Sequence, residues 1–155
     1  MGVGPSTKET SLHHFRDPLV DAIGKDSELE LVGIIVVGTP QDNNEKERVG
    51  TRAAQLLEAM RVDGCILSCD GWGNSHVDYA NTFEEVGKRN IPTVGVTFNG
   101  KQAKFVVTNQ YMNTIVDINK SAEGIETEVV GENTTDELDA QKAVALLKLK
   151  MRKRV

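Results

Sequence analysis

The sequence predicts a three-layer α/β fold, with a mainly parallel sheet and helices on both of its faces. Three observations carry this. Apolar runs at 30–38, 63–69 and 91–98 are short and bounded by turn-forming residues, as buried strands are. Between them, residues 45–62 and 77–90 repeat apolar side chains at helical spacing. Strand-helix alternation of this kind returns each strand parallel to the last and lays the helices on the sheet's faces. The order is Rossmann- or flavodoxin-like. With 155 residues the chain suits one domain: an N-terminal helical segment (1–28), a βαβαβ core (29–98), and a hairpin or irregular part with a C-terminal helix (99–155).

The elements follow in order. Ser6 and Glu9 stand at capping-box spacing. Asp17-Pro18 places an N-cap residue before proline at the first helical position, and Gly24 marks that helix's end. "ELVGIIVVG" (30–38) is continuously apolar and rich in β-branched residues, the pattern of a strand buried on both faces. On the helix at 45–62 the inward stripe is Val49, Ala53, Leu56, Leu57 and Met60. "DGCILSC" (63–69) is the second strand. The helix at 77–90 turns Ala80, Phe83 and Val86 or Gly87 inward, and "IPTVGVTF" (91–98) is the third strand.

Asn99-Gly100 is a two-residue hairpin signal, so a strand at 104–108 would add antiparallel to the third. Met112, Ile115, Val116 and Asn119 have helical spacing, although "IVDI" also suits an extended segment. "ETEVV" (126–130) reads as an edge strand. The last helix is announced by a capping box at Thr134 and Glu137, with Ala140, Val144, Leu147 and Met151 as its apolar stripe.

Composition narrows the function. Hydrophobic residues make up 39% and charged residues 26%, a balance that excludes global disorder. The apolar runs are far shorter than the roughly 20 residues of a membrane span, and the first residues lack the layout of a secretory signal. The expectation is a cytoplasmic protein without membrane contact. Net charge is −5, so the basic residues Lys148, Lys150, Arg152, Lys153 and Arg154 fit a helix C-terminus better than nucleic acid. Cys65 and Cys69 in one strand stand about 13 Å apart at ~3.3 Å per residue. A disulfide needs Cα atoms within about 7 Å, so both are expected as free thiols.

Open α/β sheets bind ligands beyond the carboxyl ends of their strands. Three loops meet that condition: 38–44, 69–76 and 98–102. "SCDGWGNSH" (68–76) is the richest in chemistry. Cys69 and His76 are the catalytic candidates, since a helix N-terminus stabilises thiolate. Asp70, Gly71, Trp72, Gly73, Asn74 and Ser75 are candidates for ligand or partner binding. The plainer alternative is a polar turn with Asn74 or Ser75 as N-cap and Trp72 covering the sheet. His13 and His14 are a further candidate contact pair. No tight ligand-pair spacing supports a metal, and neither a Walker loop nor G-x-G-x-x-G is present.

Longer blocks carry a resemblance. "GPSTKETSLHHFRDPLVD", "GTRAAQLLEAMRVDG", "SCDGWGNSHVDYANTFEEVGKR", "IPTVGVTFNGKQAKFVVTNQYM" and "NKSAEGIETEVVGENTT" followed by "ALLKLKM" cover nearly the whole chain. They resemble the C-terminal, α-subunit portion of D-proline reductase proproteins, which are related to component B of glycine, sarcosine and betaine reductases. The resemblance implies reductive ring opening of D-proline to 5-aminovalerate in amino-acid fermentation. It implies a pyruvoyl group formed by self-cleavage at a cysteine, and a separate selenocysteine-containing subunit as partner. No cysteine precedes Cys65 here, so the expectation is a subunit or accessory paralogue without its own pyruvoyl group. A non-catalytic small-molecule-binding or regulatory module is the alternative, and a thiol enzyme using Cys69 and His76 is a third reading. Apolar surface left by such a fragment favours a homo-oligomer.

Overall fold

The computed structural model describes residues 17–69, 74–99, 105–125, 132 and 134–153. Within them β1 (Cys65–Cys69), β2 (Thr93–Thr97) and β3 (Ile115–Asp117) form a sheet in the order β1-β2-β3, parallel at both pairings. The helices are α1 (Pro18–Lys25), α2 (Asn43–Ala59), α3 (Asn74–Lys88) and α4 (Glu137–Arg152). α3 covers one face of the sheet with α2 packed on it, and α4 covers the other with α1 packed on it. The three-layer α/β class holds.

β2 is the central strand, and all five of its residues are buried. Val94 and Val96, with Phe98 beyond the strand, pack with Leu19, Val116, Ile118, Ala140, Ala143 and Leu147 on the α4 side. Burying side chains of this size contributes roughly 1.5–3 kcal/mol each. On the α3 side, Gly95 gives up its side chain to Tyr79, Phe83 and Ile115. The expected inward residues of α3 (Ala80, Phe83, Val86 and Gly87) are all buried.

Caps and turns show how the sequence punctuates these elements. Asp17 accepts from Leu19 N at 2.9 Å ahead of Pro18, as expected. α2 and α3 end in the same way: Arg61 N and Val62 N bond back to Glu58 O and Leu57 O, and Asn90 N and Ile91 N to Gly87 O and Val86 O. Arg61 and Asn90 adopt positive φ (55° and 56°), the left-handed residue that such Schellman turns require. Each turn aims the chain into the next strand.

Four expectations are corrected. Residues 30–38 form no strand; 29–40 run outside the sheet without helix, turn or bend. Burial on both faces belongs to β2 instead. The inward face of α2 is Lys46, Gly50, Ala53 and Ala54; of the expected stripe, Ala53 is buried and Leu57 packs on Ala54, Val86 and Ile91, while Leu56 and Met60 are exposed. A Cβ on Gly50 would lie 2.2 Å from Asn81 Nδ2, so α3 approaches on the side of the smallest residues and rotates the stripe. Residues 105–108 make no antiparallel strand, and β3 pairs parallel to β2 instead, while Gly100 of the expected hairpin turn lies outside the described residues. The capping box of α4 is Asp136 with Asp139, not Thr134 with Glu137. Ser6, Glu9 and 126–130 lie outside the described residues.

The C-terminal basic cluster is largely engaged within the chain. Lys148 Nζ pairs with Asp26 (2.9 Å) and Glu28 (3.2 Å), Arg152 pairs with Glu28 (2.9 Å), and Lys150 Nζ donates to Thr93 O and Asn113 Oδ1. Hydrogen bonds from Lys148 hold the Asp26 and Glu28 carboxyls below their ordinary range, and Asp26 and Glu28 raise Lys148. A carboxylate depressed on folding contributes stability that is present above its unfolded pKa and lost as pH falls through the folded one. Lys148 contributes below its unfolded pKa and loses that contribution as pH rises through its raised value. Stability should therefore fall more steeply below about pH 4.5 in the parent than in Lys148→Met. Urea titrations at stepped acid pH will show equal slopes if the pairs do nothing.

Candidate functional site

Parallel pairing puts the carboxyl ends of all three strands at one edge, where β1 ends at Cys69, β2 at Thr97 and β3 at Asp117. Cys69 and Thr97 are ladder partners. Thr97 Oγ1 lies 3.4 Å from Cys69 O and 3.3 Å from His76 Nε2. The Thr97 hydroxyl thereby bridges the end of β1 and the first turn of α3. His76 lies in the first turn of α3 and is fully buried. The helix thus begins earlier than the expected position 77 and draws the imidazole inward.

Aromatic rings complete the wall. Phe105 lies 4.7 Å from the His76 ring and stacks on Tyr79 at 6.2 Å with an interplanar angle of 3°. The Tyr79 hydroxyl donates to Leu67 O at 3.2 Å. Burial pushes this phenol well above its ordinary range, and the nearby Cys69 adds in the same direction. Asp117 Oδ1 accepts from Asn99 N and Asn119 N, both at 3.0 Å, which fixes the chain beyond β2 and β3. Asn74 Nδ2 reaches Gln41 Oε1 at 3.4 Å. The 38–44 and 69–76 loops therefore meet, and His76 with Thr97 joins the latter to the end of β2.

Of the sequence candidates, Cys69, Asn74, Ser75 and His76 are placed at this crevice. Ser75 is half-buried, and Asn74 is exposed. Asp70, Gly71, Trp72, Gly73, His13 and His14 lie outside the described residues. Sequence reasoning missed Thr97, Tyr79 and Phe105. Tyr79 follows His76 by three residues, one helical turn, and that spacing was the available signal. It also missed Lys46, which enters from α2 to pair with Asp78 at 2.6 Å with both side chains buried.

The two thiols differ in position. Cys65, at the far end of β1, contacts Thr93 Oγ1 at 3.4 Å, and burial raises its pKa. Native Cys65 should react with a maleimide far more slowly than the same cysteine in urea, which mass mapping of the labelled peptide will check. Neither cysteine is in a disulfide. Among the described residues no group of three or more His, Cys, Asp or Glu is placed to hold a metal. Among the described residues no helix is long and apolar enough to cross a membrane. Two cavities open elsewhere: about 500 Å³ between α1 and α4, and about 280 Å³ beside Thr93, Tyr111 and Lys150.

Comparison with known proteins agrees with the long sequence blocks. A family model described as glycine/sarcosine/betaine reductase component B subunits matches residues 2–143. The chain is 46% identical over 146 residues to the D-proline reductase proprotein of Acetoanaerobium sticklandii, covering 94% of this chain and 23% of that protein. It is 28% identical over 108 residues to the sarcosine reductase complex component B subunit alpha of Peptoclostridium acidaminophilum, covering 66% of this chain and 25% of the relative. The glycine reductase complex component B subunits alpha and beta of Acetoanaerobium sticklandii match at 28% over 99 residues, 61% of this chain and 23% of theirs. The chain thus spans about a quarter of the length of the curated relatives it matches. No solved structure matches it. With nearly its whole length inside the family model and 46% identity to one full-length relative, the chain belongs to the glycine/sarcosine/betaine reductase component B family.

Proposed function

We propose that the chain is a subunit or accessory paralogue of a D-proline-reductase-like complex, which opens the ring of D-proline reductively to 5-aminovalerate. The observation that carries this reading is the 46% identity maintained over 94% of the chain. Its partners in the proposal are the other reductase subunits, including a selenocysteine-containing one. The crevice at the carboxyl ends of the strands is its contact and pocket surface. There His76 is a fixed polar wall rather than a base, because it is fully buried with Nε2 engaged by Thr97.

The proposal gives this chain no pyruvoyl group of its own. The two cysteines that the sequence contains both lie in β1, and their backbone is in register with β2 from Cys65–Thr93 to Cys69–Thr97. Chain cleavage at Cys65 would sever the β1-α3-β2 unit from α2, and cleavage at Cys69 would cut β1 from α3. Neither residue suits conversion to pyruvoyl, and no step is routed through one.

Affinity purification of the tagged chain from D-proline-fermenting cells under anaerobic conditions tests the reading. The expected result is co-elution with the selenocysteine subunit and the pyruvoyl-bearing chain. Intact mass should show this chain uncleaved and unreactive toward phenylhydrazine. Recovery of the chain without any reductase subunit overturns the complex, and a phenylhydrazine adduct overturns the assignment of the pyruvoyl group to another chain.

A further inference from the structure

The most apolar stretch of the sequence is largely exposed. Residues 29–40 pass the sheet without joining it, and from 34 to 38 exposed and half-buried residues alternate. Ile35 and Val37 are half-buried against their own chain. Val32, Ile34 and Val36 point the other way and are 59%, 67% and 93% exposed. Met60 Cε lies 3.2 Å from where a Cβ on Gly33 would stand, on the side of Ile35 and Val37. A row of β-branched side chains in water, on an extended backbone, is a template for strand pairing.

We propose that this segment pairs with the same segment of a second copy, antiparallel, about a two-fold axis through Ile34. The order of side chains selects this occupant. Val32, Ile34 and Val36 read the same in either direction. A two-fold at Ile34 therefore sets Val32 of each copy against Val36 of the other, and Ile34 against Ile34. Cross-strand β-branched pairs of this kind stabilise a ladder. The one charged residue in the row, Glu30, falls opposite Gly38. Shifting the axis to residue 33 puts Val36 against Glu30, and shifting it to residue 35 puts Val32 against Gly38. Parallel pairing in register would stack Glu30 on Glu30, and like charges directly opposite are destabilising. Of these pairings, only the one centred on Ile34 both matches all three apolar residues with apolar residues and keeps Glu30 away from a like charge, and it makes a self-complementary, closed interface.

This inference is independent of the reductase-complex reading, and its test uses the chain alone. Sedimentation equilibrium should show a dimer of the full chain at micromolar concentration. Ile34→Glu should raise the dissociation constant at least about a hundredfold and leave the circular dichroism spectrum unchanged. Mild oxidation of mixed Val32→Cys and Val36→Cys chains should give a covalent dimer of the two. Neither should cross-link to itself, because four residues at ~3.3 Å separate like positions by about 13 Å. Ile34→Cys should cross-link to itself, and the unmodified chain, with Cys65 and Cys69, is the control. A monomer at every concentration overturns the proposal, including one whose 30–38 amides exchange slowly because the segment has docked on its own β1. A dimer that survives Ile34→Glu, or that forms only with a different subunit, overturns it equally.

Discussion

Lys46→Met is expected to lower the thermal midpoint by roughly 6–20 °C, corresponding to about 3–5 kcal/mol for stripping one partner from a buried ion pair. Lys46 is 2% exposed, and its Nζ lies 2.6 Å from Asp78 Oδ2. Among the described residues Asp78 Oδ1 has no hydrogen-bond partner, so the ammonium is the main compensation for a carboxylate out of water. Methionine keeps the stem and its packing while removing the charge, which separates electrostatics from cavity formation. The second substitution decides the cause. Lys46→Met with Asp78→Leu removes both charges and should recover much of the loss, because two apolar residues replace a pair whose desolvation nearly cancels its attraction. Urea unfolding of parent, single and double variants measures both effects. A single variant as stable as the parent would mean that Lys46 reaches water in solution.

That pair also marks where sequence reading stops. Asp17-Pro18, the apolar stripe of α3, the β1-α3-β2 unit and the stripe of α4 were all legible, because each depends on local capping or on periodicity within one element. The face of α2 was not. "EKER" reads as a solvated end, yet Lys46 turns inward because Gly50 lets α3 come close and Asp78 waits there. Such a pairing depends on a contact 32 positions away, which no period records. The 30–38 run failed for a related reason: an apolar β-branched segment records that something covers it, and its periodicity does not say whether that is the chain's own sheet. Asn99-Gly100 likewise favoured an antiparallel neighbour, yet β3 pairs parallel to β2. The strand-end rule directs attention to the carboxyl ends of the strands, where Cys69 and His76 stand near each other. The rule does not supply neighbours from other elements, so Thr97, Tyr79 and Phe105 emerge only when helix, strand end and the chain at 105 are brought together.

Gly95→Ala is expected to cost about 2–4 kcal/mol through overpacking and the loss of one buried hydrogen bond, or roughly 4–16 °C in the thermal midpoint. The added Cβ would stand 2.2 Å from Tyr79 Oη and 3.0 Å from Ile115 Cγ1 and Phe83 Cε2. The reason for glycine is space rather than backbone freedom, since Gly95 is absent from the residues at positive φ. Ile115 belongs to β3 and Phe83 is fully buried, so the hydroxyl of Tyr79 has to yield. It then leaves Leu67 O and disturbs the ring stacked on Phe105. Tyr79→Phe alone loses only the hydrogen bond, about 1 kcal/mol. On that background the nearest clashing atom is gone, and Gly95→Ala should cost at least 1 kcal/mol less than it does in the parent, a coupling that a double-mutant cycle resolves. Equal costs on both backgrounds would place the strain on Phe83 and Ile115 instead. The predicted coupling ties the centre of the sheet to the crevice wall: a methyl group on β2 acts through Tyr79 on the ring that packs against His76.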